Sequence, residues 1–83
     1  MATTQTGRPG RRWFTVLDGH QLRRLRRQRG LSREELAGRA GISPATVARL
    51  ERQRAAPCRC RTLGRLAGAL SEDPARLAPA TQP

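Results

Sequence analysis

Few side chains in this 83-residue chain could do covalent chemistry. His20 is the one histidine, Cys58 and Cys60 are the two cysteines, and six carboxylates are scattered from Asp18 to Asp73. Three soft ligands without a CxxC pair or an HxxxH spacing do not complete a zinc site, so neither a metal nor a cofactor is expected. Nothing resembles an acid–base or nucleophile constellation, and the chain reads as a non-enzyme. Its chemistry is that of arginine. All 17 basic residues are arginine, against 6 acidic ones, for a formal charge of +11. A guanidinium makes planar, bidentate contacts with phosphate and guanine that an ammonium cannot imitate. A GC-rich genome accounts for arginine over lysine. It does not account for the excess of charge, which favours a polyanionic partner.

The elements that position these arginines are short. The length fits one small domain. Residues 1–12 read as a disordered basic arm. Within it GRPGRR loosely resembles an AT-hook through one Gly-Arg-Pro triplet; a flexible basic tail is the simpler reading, and either supplies phosphate contacts. The domain proper is expected over 13–77, with a disordered tail over 78–83. Trp13, Phe14, Val16 and Leu17 form an apolar patch expected to fold back onto it. Asp18 with Gln21 suggests a capping box opening a helix over 18–29, with Leu22 and Leu25 inward and Gly30 ending it. Ser32 with Glu35 is a second capping box, for a helix over 33–40 with Leu36, Ala37 and Ala40 inward and Gly41 at its end. Ser43 caps a third helix with Pro44 at its first position, and Val47 and Leu50 face the core. Residues 52–60 read as a basic loop. Leu63, Leu66, Ala67 and Leu70 mark a fourth helix over 60–70, and Asp73-Pro74 a short fifth over 74–77. No stretch alternates as a strand would. The expected fold is all-α, a compact bundle of four to five short helices.

The second and third helices, joined at Gly41, form a helix-turn-helix in outline. Ala37 is small where the third helix crosses the second, and Gly41 allows the chain to reverse with positive φ. Ile42, Val47 and Leu50 seal the third helix against its neighbours. Its opposite face is then left in solvent, a geometry that can place a helix in a DNA major groove.

LSREELAGRAGISPATVARLE resembles the helix-turn-helix of the Cro/C1-type (XRE) bacterial and phage repressors, and TLGRLAGALSEDPARL resembles their fourth and fifth helices. The resemblance covers residues 18–77 and implies a lambda repressor-like DNA-binding domain with double-stranded DNA as partner. It places Ser32 and Arg33 at a backbone phosphate, where a helix N-terminus favours an anion. Ser43 would meet the opposite phosphate or a base edge. Pro44, Ala45, Ala48 and Arg49 occupy the base-facing positions, with Thr46 beside them, and Arg52 and Arg54 stand where phosphates are met. Arg26 and Glu51 match a family ion pair between the first and third helices. Arg23, Arg24, Arg27 and Arg29 read as a solvated face.

The sequence departs from the family in two places. Pro44 and Ala45 replace glutamine-type readers, leaving Arg49 as the side chain able to bond guanine bidentately, with phosphate contact as its other reading. Pro57-Cys58 stands where a Ser or Thr cap usually opens the fourth helix, and the thiols read as unremarkable rather than as a redox switch. The function implied is that of a sequence-specific transcriptional regulator, a repressor. Two readings share the fold: an antitoxin that binds both operator and toxin, and a protein-interaction adapter that has lost base reading. A homodimer pairing through the C-terminal helix near Leu77 would fit the family. With no apolar run of membrane-spanning length and no signal-peptide core, a cytoplasmic, nucleoid-associated protein is expected.

Overall fold

The computed structural model describes residues 13–79; the expected arm over 1–12 and most of the expected tail lie outside them. The chain runs through a strand β1 (Phe14–Leu17), helices α1 (Gly19–Gln28), α2 (Arg33–Ala40) and α3 (Pro44–Glu51), a strand β2 (Ala56–Arg59), helix α4 (Cys60–Leu70) and a 3₁₀ turn (Pro74–Leu77).

The starts of α1, α2, α3 and the 3₁₀ turn each follow from a residue that supplies an acceptor to otherwise unpaired amides. Asp18 Oδ1 accepts from the Gln21 N–H at 3.0 Å. Only half of the expected box forms there: the Asp18 N–H donates to Leu77 O, and the Gln21 side chain accepts from Arg24 Nη1 at 3.2 Å. The box at Ser32 is complete: Ser32 Oγ accepts from the Glu35 N–H at 3.0 Å, and Glu35 Oε1 accepts from the Ser32 N–H at 2.8 Å. Ser43 Oγ accepts from the Thr46 N–H at 3.1 Å. Asp73 Oδ1 does the same for Ala75 at 2.9 Å. Helix α4 starts after Arg59 with no side-chain cap; Pro57 and Cys58, read as the cap position, lie in β2 instead.

The ends of α1, α2 and α4 are set by left-handed residues, whereas α3 ends at Arg52 in a right-handed conformation. Gly30 has φ +67° and Gly41 φ +73°. After each, an amide turns back to the last turn: Leu31 N–H to Arg26 O at 3.1 Å and Ile42 N–H to Ala37 O at 3.0 Å. Helix α4 closes in the same manner through Glu72 N–H to Ala67 O at 2.9 Å, but the left-handed residue is Ser71, with φ +56°. A Cβ there costs about 1 kcal/mol relative to glycine.

The leucine periodicity delivers the core. Leu17, Leu22, Leu25, Leu36, Val47, Leu50, Leu66, Leu70 and Leu77 are fully buried, and Ala37 and Ala67 are buried with them. Among the expected apolar patch at the start of the domain only Leu17 joins this core; Trp13, Phe14 and Val16 remain exposed.

The all-α expectation needs one correction. Strands β1 and β2 pair antiparallel, with Phe14 opposite Arg59, Thr15 opposite Cys58, Val16 opposite Pro57 and Leu17 opposite Ala56. What read as a basic loop over 52–60 is therefore partly strand. Leu17, Ala56 and Cys58 point inward, while Phe14, Val16, Pro57 and Arg59 point out. Proline is tolerated because each strand of a two-stranded ribbon is an edge.

A close contact locks this framework. Gly19 is buried where α1 begins, and its N–H donates to Gln53 O at 3.0 Å. A Cβ built on it would collide with the carbonyl oxygens of Leu50 and Gln53. Next to it, Asp18 N–H donates to Leu77 O at 2.7 Å. The start of α1 thus seats directly on the end of α3 and on the C-terminal turn. Gly19→Ala is expected to destabilise the domain by about 3 kcal/mol, since backbone rather than a flexible side chain must move. Ser71→Gly should stabilise it by about 1 kcal/mol. Urea unfolding of the two variants checks both signs; equal midpoints for Gly19→Ala and the parent would contradict the seating of α1 on α3.

Candidate nucleic-acid interface

Helix α3 presents two unlike faces. Val47 and Leu50 are fully buried and Glu51 is buried with them. Pro44, Ala45 and Arg49 are exposed, with Thr46 and Ala48 half-buried at the margins. Ala45, Ala48, Arg49 and Arg52 follow one another at i, i+3, i+4 and i+7, so they share one face of the helix line. Arg52 and Arg54 are exposed just beyond it. Ser43 is exposed too, but its hydroxyl is engaged, accepting from the Thr46 amide and sharing a 2.9 Å hydrogen bond with Thr46 Oγ1.

The orientation of this face is fixed from beneath. The Glu51 carboxylate, with its side chain 1% exposed, is held by two guanidinium groups. Arg26 donates from Nε to Oε2 at 2.6 Å and from Nη2 to Oε1 at 3.1 Å. Arg33 donates from Nε to Oε1 at 3.1 Å. Arg26 Nη1 also donates to Leu31 O at 2.7 Å. One carboxylate at the end of α3 therefore ties together α1, the α1–α2 turn and the first residue of α2. Burial pushes its pKa up, but the hydrogen bonds and charges of Arg26 and Arg33 outweigh this and hold it below the ordinary glutamate range. The ion pair implied by resemblance is present. Arg33 was read only as a phosphate contact, and its tie to Glu51 was not foreseen; its side chain remains 46% exposed.

Several other charged groups fall away from this face or into pairs. His20, Arg23, Arg24, Arg27 and Gln28 line an open groove along α1. Arg29 and Arg76 both pair with Glu72, each at 3.1 Å, so Arg29 belongs to an ion-pair cluster rather than to a solvated stripe. Arg65 Nη1 lies 3.5 Å from Gly41 O, at the turn between α2 and α3. Neither cysteine is in a disulfide. Burial, then the neighbouring Cys60, push the Cys58 thiol up, against a lowering by Arg49, which makes Cys58 a poor nucleophile. Among the described residues no three of His, Cys, Asp or Glu gather as metal ligands, and no helix is long and apolar enough to cross a membrane.

This arrangement can insert one small-residue helix face, rimmed by cations, against an anionic double helix. The sequence model for the helix-turn-helix domain family matches residues 19–80, which span α1 to the C-terminal turn. The chain belongs to this helix-turn-helix family. Its type is Cro/C1 (XRE), a DNA-binding class of transcription regulators. Among solved structures, the restriction-modification controller protein C.AhdI from Aeromonas hydrophila is 34% identical, with a TM-score of 0.65 over 70% of this chain and 86% of that one. A hydroxyethylphosphonate dioxygenase variant and PhpD with cadmium are each 23% identical, with TM-scores of 0.69 and 0.67 over 83% of this chain. The chain spans 15% of each of those two proteins, and the likeness is one of fold alone. No curated protein matches.

The helix-turn-helix depends on Glu51 in two measurable ways. Glu51→Ala leaves the buried Arg26 guanidinium without its counter-ion and should cost about 3–5 kcal/mol in urea unfolding. A carboxyl held below its ordinary range contributes stability that is fully present above the unfolded-state value and is lost as pH falls through the folded one. Glu35, lowered by the hydrogen bonds of Ser32, acts in the same direction. The urea midpoint should therefore drop on acidification below the ordinary carboxylate range. A midpoint that stays level from neutral pH down to about pH 3, where carboxylates protonate, would contradict the tie.

Proposed function

We propose that this chain binds duplex DNA sequence-specifically and regulates transcription as a Cro/C1-type repressor, with α3 in the major groove. The observation that carries the reading is the outward face of α3, small-residued around Arg49 and anchored through Glu51. Arg49 bonds a guanine edge bidentately, worth about 1–3 kcal/mol of discrimination. Pro44, Ala45 and Ala48 offer no donors; they allow close approach and touch thymine methyls, with Thr46 at their side. Ser43 meets a phosphate or a base edge, Arg52 and Arg54 meet phosphates, and Arg33 reaches a phosphate beside the start of α2 while its Nε stays on Glu51.

With one strong base reader per chain, selectivity rests on two copies over a two-fold site and on sequence-dependent DNA shape. The role is one of binding, without catalysis, in the compartment that holds the chromosome. The likeness to C.AhdI, a restriction-modification controller protein, supports a regulator over the antitoxin and adapter readings.

Affinity for duplex DNA should fall about 100-fold or more between roughly 50 and 200 mM salt, because several phosphates are neutralised. Arg49→Ala should lose preference at one base position, whereas Arg54→Ala should weaken all sequences alike. Binding selections from a randomised duplex pool check this: matching base profiles for the two variants would remove Arg49 from base reading, and a flat salt response would count against the interface itself.

A further inference from the structure

The β1–β2 ribbon presents an outward face that no part of the described chain covers. Trp13 is 63% exposed, Phe14 49% and Val16 41%, the only large apolar side chains so exposed among the described residues. With the other large apolar side chains of the described residues buried or, at Ile42, half-buried, such a cluster marks a contact surface. Two observations connect it to α3. A recess of about 330 Å³ runs between the ribbon and the recognition helix, with Phe14, Pro57 and Arg59 on one wall and Thr46, Arg49 and Thr62 on the others. The Arg59 guanidinium carbon lies 5.7 Å from the Phe14 ring centroid, so the ring holds the cation at the mouth of a second recess shared with Trp13 and Arg61.

We propose that the ribbon is a second DNA-contacting element: it packs on the sugar–phosphate backbone flanking the groove read by α3. Trp13 and Phe14 cover deoxyribose faces and Arg59 pairs with a phosphate. Charge complementarity selects this occupant. The apolar side chains are interleaved with Arg59 and Arg61 and open onto Arg49, and an apolar surface studded with guanidiniums suits a strand that alternates sugar and phosphate. A second copy of the chain would set those arginines against their own kind. The inference rests on the DNA-binding reading above, and extends it to residues that the helix-turn-helix itself does not include.

Trp13 is the only tryptophan in the chain, so its emission reports on the ribbon alone. A fluorescein-labelled duplex of mixed sequence, titrated with the full chain, gives total binding by anisotropy; unlabelled duplex of the same sequence gives the Trp13 signal. At saturation Trp13 should be quenched and blue-shifted. Arg59→Ala should bind about fivefold more weakly and reduce the slope of log affinity against log salt by about 0.9, with Arg59→Lys restoring the slope. Melting by circular dichroism should stay unchanged in both variants. If anisotropy rises while Trp13 emission and the Arg59→Ala slope do not change, the ribbon proposal is overturned and DNA binding by α3 stands. If anisotropy does not rise, the DNA-binding reading falls and takes the ribbon with it. Trp13 emission that shifts with protein concentration in the absence of DNA would instead identify the ribbon as a surface between copies, and would equally overturn the proposal.

Discussion

Everything on the outward side of α3 depends on a carboxylate on its inward side. Glu51 closes the helix inside the protein and meets Arg26 of α1 and Arg33 of α2 at once. Taking a carboxylate and a guanidinium out of water is costly, and an apolar replacement of the same shape would often stabilise a domain as well. What the ion pair supplies is direction. A bidentate fork admits few geometries, and Arg26 is itself pinned by the Leu31 carbonyl. The seat of Gly19 on Gln53 fixes the same end of α3 from another side. A helix held at its C-terminal end by two such constraints, and along its length by Val47 and Leu50, cannot roll to bury Arg49.

Local rules made much of this legible in the sequence. Ser32 with Glu35, Ser43 with Pro44, and Gly30 and Gly41 each act over a few residues, so their helix boundaries could be read directly; α2 and α4 fall where the spacing predicts. Long-range features were less accessible. Strands of four residues containing Pro57 carry too short an alternation to read, and their pairing joins residues about forty positions apart. Gly19 looks like an ordinary glycine after a cap until the carbonyls of Leu50 and Gln53 come against it. Ser71 takes a left-handed conformation that sequence preference assigns to glycine. The tie between Arg26 and Glu51 came from family resemblance and not from spacing, and the same resemblance set Arg33 at a phosphate without anticipating its hold on Glu51.

The site itself shows a division of labour among arginines that composition alone conceals. Arg26 is structural, Arg29 and Arg76 neutralise Glu72, and Arg33 divides its length between Glu51 and solvent. The cations left around α3 are Arg49, Arg52 and Arg54, with Arg59 and Arg61 beside the ribbon. On a surface of small side chains they can approach a duplex closely. In the function proposed for the chain, affinity comes mainly from phosphates, and selectivity from a single strong reader and from the arrangement of copies on DNA.

The most direct test of this account is a ¹⁵N-resolved titration of the chain with duplex DNA. Amide shifts should concentrate on residues 43–54 and on the first turn of α2, extending to the ribbon proposed to flank them, with the buried amides of α1 unmoved. Shifts centred on the outer face of α1 or on the C-terminal turn, or none at all at low salt, would contradict it.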